Sequence, residues 1–87
     1  TFYNAANYYY QSNGNTHKAL EWINESIGMR GKDVPFWYLR LKSLIQAKAG
    51  DKRGAIETAQ RSLDLAEKAG NTDYVKLNRD SISEWSK

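Results

Sequence analysis

Eighty-seven residues make room for one small domain, whose core must be built efficiently because a chain this short buries a modest share of its surface. With no cysteine, a disulfide framework, a cysteine nucleophile and thiolate metal sites are excluded. The net charge of +3 comes from 13 basic and 10 acidic residues that are interspersed, so it is weak support for nucleic acid or a membrane surface as the partner.

The chain starts at Thr1, without Met and without a signal-peptide pattern, so a piece of a longer protein or its processed form is expected. From Thr1 to about Gln11, Phe2, Ala5, Ala6 and Tyr9 recur at spacings of three and four, which predicts a helix with one apolar face. "SNGN" follows, with Gly14 as a left-handed stop and Asn15 or Thr16 as the cap of the next helix. That second helix carries Ala19, Leu20, Ile23, Ser26 and Ile27 in one stripe and is expected to end in the two glycines of "GMRGKD". Asp33 and Pro35 predict the start of a third helix, proline being tolerated in a first turn. Phe36, Trp37, Leu39, Leu41, Leu44 and Ile45 are its apolar members, and Gly50 stops it.

Asp51 caps a fourth helix running to about Lys68, in which Ala55, Ile56, Ala59, Ser62, Leu63 and Ala66 recur with helical spacing. Glu57 with Arg61 and Asp64 with Lys68 stand in the favourable order for pairs worth a few tenths of a kcal/mol. "AGNTD" is a further stop and cap, and the fifth helix reads from about Asp73 to Trp85, with Tyr74, Leu77, Ser81, Ile82 and Trp85 on one side. No segment alternates strictly, and the apolar stretches are too short to cross a membrane. The prediction is an all-α chain of five helices joined by short turns.

A turn and helix at residues 13–27, "NGNTHKALEWINESI", return at 49–63 as "AGDKRGAIETAQRSL". Gly14/Gly50, Ala19/Ala55, Glu21/Glu57 and Ser26/Ser62 are shared, and Asn15/Asp51 are both helix caps. A two-helix unit cannot bury its apolar stripe alone, and stacking a second unit closes the core. The repeated small residues mark where the second helix of each pair crosses the first. Glu21 recurs without a packing reason.

On these positions, and on Tyr10 four residues before the turn glycine, the chain resembles the tetratricopeptide repeat, a helix–turn–helix unit. The resemblance implies a single domain built as a short right-handed α-solenoid, with 1–31 as one repeat, 34–69 as a second and 71–87 as a capping helix. The chain departs from the family's Trp-Leu-Gly group, having Tyr3, Ala6 and Asn7 in one copy and Leu39, Lys42 and Ser43 in the other. It has Gln46 where the second aromatic belongs, and Pro35 falls late. "AANYYY", "FWYLRLKSLIQAKAGDKRGAIETAQRSL" and "SEWSK" further resemble a two-repeat tail that follows a β-rich domain in some secreted or envelope proteins of Bacteroidetes. That likeness implies an accessory module in the periplasm or cell envelope.

Nothing in the residues predicts catalysis, a metal or a cofactor. His17 is the one histidine, the carboxylates are scattered without a nucleophile beside them, and the glycines stop helices rather than cradle phosphate. "NES" at 24–26 matches a glycosylation sequon but falls mid-helix. The resemblance instead implies a concave face lined by the first helix of each pair. That places Asn4, Tyr8 and Gln11 there, then Trp37, Arg40, Leu44 and Lys48, with Lys76 and Arg79 at the edge. Tyr, Trp and Arg are the types that dominate binding hot spots, and Arg40 and Lys48 suit a carboxylate on an extended peptide. The family's carboxylate clamp is not matched, since Asn4, Tyr8 and Leu41 stand where its residues belong. Protein or peptide is therefore the expected partner. Docking on the parent protein's own domain, or self-association, is the alternative, with Trp37 and Tyr8 as packing residues. An RNA reader fits less well, because three successive tyrosines point in different directions around a helix.

Overall fold

The computed structural model describes residues 2–11 and 15–87, with side chains from Asn4 onward. Five α-helices account for most of them: α1 (Phe2–Gln11), α2 (Thr16–Arg30), α3 (Phe36–Lys48), α4 (Lys52–Lys68) and α5 (Thr72–Trp85). A 3-10 turn at Gly31–Asp33 joins α2 to α3, and there is no strand among the described residues. The expected stop at Gly14 and the apolar role of Phe2 lie outside what is described.

Local chemistry accounts for the helix starts. Asn15, Asp51 and Asn71 each accept a bond from the backbone N–H three residues on, at 3.1, 2.9 and 3.0 Å, satisfying a donor that the first turn leaves free. Two expectations are corrected here. Gly28 does not end α2, which continues to Arg30 and stops at Gly31. Pro35 precedes α3 as its N-cap instead of lying in its first turn, its carbonyl accepting from the Tyr38 N–H at 3.1 Å.

The stops after α3 and α4 share one geometry. Asp51 N–H reaches back to the Gln46 carbonyl and Gly50 N–H to Ala47, while Asn71 and Gly70 do the same to Ala66 and Glu67. This double bond pattern needs a left-handed residue at the glycine, and Gly50 has φ of 95°. Gly50→Ala is expected to cost about 1–2 kcal/mol through the left-handed penalty. A lower urea midpoint with an unchanged slope would show it. At Gly54 the constraint is space: a Cβ would run into the Asp51 carboxylate that caps α4 and into the Gln46 amide.

Packing follows chain order. α2 lies against α1 and α3, and α4 against α3 and α5; α1 also touches α3, and α3 touches α5, whereas α2 and α4 do not meet. The Phe36–Tyr74 ring contact and the Arg40–Ser81 bond advance together along α3 and α5, so these two helices run parallel. The radius of gyration, 12.1 Å, matches the roughly 12 Å of a compact chain of this length.

The two halves of the interior differ in kind. Between α1, α2 and α3 the core is apolar, built from Ala6, Ala19, Ile23, Val34, Tyr38, Leu39, Leu41 and Ile45. Around α4 it is made of small side chains, Ala55, Ala59, Ser62 and Ala66, with Leu63. Ala19 and Ala55 are both fully buried, as expected of crossing points. Their companion serines are both buried yet do different things. Ser26 Oγ donates within its own helix to the Trp22 carbonyl at 3.3 Å, while Ser62 Oγ crosses to the Phe36 carbonyl at 2.7 Å. The expected Glu57–Arg61 and Asp64–Lys68 pairs are not closed; the ion pairs among the described residues are Lys18–Glu21 and Glu84–Lys87.

Candidate functional site

On a helix of 3.6 residues per turn, Trp37, Arg40, Leu44 and Lys48 fall along one stripe of α3. Trp37 and Lys48 are exposed there, and Arg40 and Leu44 half-buried. Asn4, Tyr8 and Gln11 make the matching stripe of α1, all three exposed and opposite the buried Ala6. Tyr8 is 68% exposed and Trp37 41%, which is unusual for such large rings. Trp37 is held by edge-to-face contacts with Phe36 and Tyr38, at centroid distances of 5.0 and 6.4 Å.

The two cations of the α3 stripe are engaged inside the molecule. Arg40 Nη1 donates to Ser81 Oγ at 2.7 Å, to the Leu77 carbonyl at 3.3 Å and to Asn78 Oδ1 at 3.4 Å. Its pKa is lowered by burial, and the nearby Tyr10 and Tyr74 hydroxyls act in the other direction; an arginine remains charged throughout. Lys48 Nζ donates to the Tyr10 carbonyl at 2.9 Å and stands 5.0 Å from the centre of the Tyr10 ring. A cation at that point satisfies a carbonyl that the last turn of α1 leaves free and complements the helix dipole. Arg40 thus ties α3 to α5, and Lys48 ties α3 to α1.

The α5 residues behave differently from the rest of the set. Leu77, Asn78 and Ser81 are the ones that meet Arg40. Arg79, two positions beyond Leu77 and so about 200° around the helix, lies on the opposite flank. Lys76 is exposed, beside Leu77. Of the expected set, Lys48 is the member seen to join α3 to α1, through Tyr10, and Arg79 stands apart from the residues that meet Arg40.

Sequence reasoning passed over Asn78, the one fully buried residue of α5. Its Nδ2 donates to Ser62 Oγ at 2.9 Å, so a single polar chain runs from Arg40 through Asn78 and Ser62 to the Phe36 carbonyl. The available signal was its place in the row Tyr74–Asn78–Ile82, where a polar residue interrupts an apolar stripe.

No group of three or more His, Asp or Glu side chains among the described residues is arranged to hold a metal, and none of the described helices is long and apolar enough to cross a membrane. Two open depressions among the described residues lie along α2 over Gly28 and between the 3-10 turn and α4. Comparison with protein-family models, with curated proteins and with solved structures returned no match.

Proposed function

We propose that this chain is a non-catalytic interaction module of tetratricopeptide type, holding a peptide or partner domain on the face shared by α1 and α3. The observation that carries it is the pair of exposed rings, Tyr8 and Trp37, on stripes whose opposite sides form the core. Exposed aromatics grouped on a rigid scaffold are the side chains that supply most binding energy at interfaces. The packing order supports stacked helix pairs: each second helix touches its own first helix and the next one, while the second helices stay apart. In this reading 1–31 and 34–69 are the two units of a short right-handed solenoid and 71–87 closes it.

Tyr8→Ala and Trp37→Ala are the informative variants. Each is expected to weaken capture of the partner about tenfold or more, while the melting temperature stays within a few degrees of the parent. Arg40 is unsuited to this test because its loss removes the bonds to α5. A Trp37→Ala protein that unfolds would make the ring a packing residue and place the site elsewhere. Sedimentation of the chain separates the alternative, since a self-associating module forms dimers that the same two variants dissociate.

A further inference from the structure

Behind the exposed ring of Trp37 stand two rings that do not belong to its stripe. Trp37 meets Phe36 at a centroid distance of 5.0 Å and an interplanar angle of 89°. Phe36 in turn meets Tyr74 of α5 at 4.9 Å and 67°. Edge-to-face pairs at such distances are favourable, because the positive rim of one ring points at the negative face of the other. Phe36 and Tyr74 are both half-buried, whereas Trp37 is exposed. Three rings therefore lead from the outer stripe of α3 to α5.

The two inner rings stand on fixed backbone. Phe36 opens α3, and its carbonyl accepts from Ser62 Oγ at 2.7 Å. Tyr74 lies in the first turn of α5, where its N–H donates to the capping Asn71 Oδ1 at 3.0 Å. One turn beyond Trp37, Arg40 bonds to α5 as well, so the two helices are joined at two levels. α5 packs on α4 and α3 and on no other helix among the described residues. Its release would remove the ring behind Phe36 and leave Trp37 against a side chain free to turn. An anchor ring that must be ordered on binding costs affinity, and one already held avoids that cost. We propose that Tyr74 is a positioning residue of the aromatic face: through Phe36 it fixes the pose of Trp37, and so couples the docking of α5 to capture. This rests on the reading of Tyr8 and Trp37 as a binding surface. Such coupling is reciprocal, so the ring of Trp37 also helps to hold α5.

The test labels the chain with 5-fluorotryptophan and follows its three tryptophans by fluorine NMR, Trp37→Phe assigning the signal of interest. Tyr74→Leu is expected to shift and broaden the Trp37 signal while Trp22 stays in place. Tyr74→Phe keeps the ring and should retain the parent signal, as should Leu77→Ala, one turn further along α5. A second arm measures amide exchange with Tyr74 intact, so it stands even where Tyr74→Leu fails to fold. Trp37→Ala should accelerate exchange along α5 about twofold to tenfold, the size of one aromatic pair, and Tyr8→Ala should not. A Trp37 signal unmoved in folded Tyr74→Leu, or moved as far in Tyr74→Phe, overturns the proposal. So does α5 exchange that ignores Trp37→Ala. Neither arm uses a partner, so failure here leaves the capture test of Tyr8 and Trp37 standing. Success here with capture unchanged in Trp37→Ala overturns the binding reading and, with it, the link to capture.

Discussion

Leu39→Ala should lower stability by about 3 kcal/mol, within the range for emptying a fully buried leucine site. For a domain of this size that is a fall of roughly 12–24 °C in melting temperature. The loss is severe because total stability at ordinary values per residue is about 4–13 kcal/mol for such a chain. Leu39 is fully buried on α3, and α3 is the helix that touches all four others, so the vacated space cannot close by moving one neighbour. Leu77→Ala is the matched control. Its side chain is 45% exposed and only its backbone carbonyl meets Arg40, so a change within about 0.5 kcal/mol is expected. Thermal melts followed by circular dichroism check both. Equal losses from the two leucines would mean that α5 packs more deeply than described.

That contrast marks what a one-dimensional pattern can and cannot show. Leu39 and Leu77 are both leucines at helical spacing, and Leu77 was expected on the packed side of the fifth helix. The structure turns that helix so that Asn78 faces inward and Leu77 stands at the edge. The polar residue wins the buried place because Ser62 and Arg40 supply its partners, and neither partner is near it in sequence. Helix starts and stops were legible because they depend on groups three to five residues apart. Asp51, Gly50, Asn71 and Gly70 each form the bonds their types predict. Gly28 misled for a related reason: a lone glycine in a helix costs about 1 kcal/mol, which tertiary packing of the stripe Ala19–Ile23–Ser26 overrides.

The candidate face was readable in the same partial way. The family resemblance placed Tyr8 and Trp37 on a concave face, and the structure has both rings exposed. It could not show that Arg40 and Lys48, the residues best suited to a peptide carboxylate, are bonded to Ser81 and the Tyr10 carbonyl. A long cationic side chain reaches a neighbouring helix as readily as a ligand, and only the third dimension decides which. What the two cations leave to the face is aromatic surface.

Asn78→Ala is expected to cost about 2–3 kcal/mol, combining a lost buried hydrogen bond with a vacated volume in a close-packed region. Asn78→Leu should fare little better, because it restores volume but leaves Ser62 Oγ without its donor and Arg40 with one acceptor fewer. If the residue were merely filling space, leucine would rescue the alanine variant. A cycle with Ser62→Ala isolates the contact, and a coupling of about 1 kcal/mol or more is expected for groups in one network. The location of the damage is as informative as its size. Asn78 lies on the helix that closes one side of α3 and α4, so amide exchange should accelerate first along α5, while the α1–α3 apolar core retains its protection. Uniform acceleration with no coupling would instead assign the hold on α5 to the Phe36–Tyr74 ring contact at 4.9 Å.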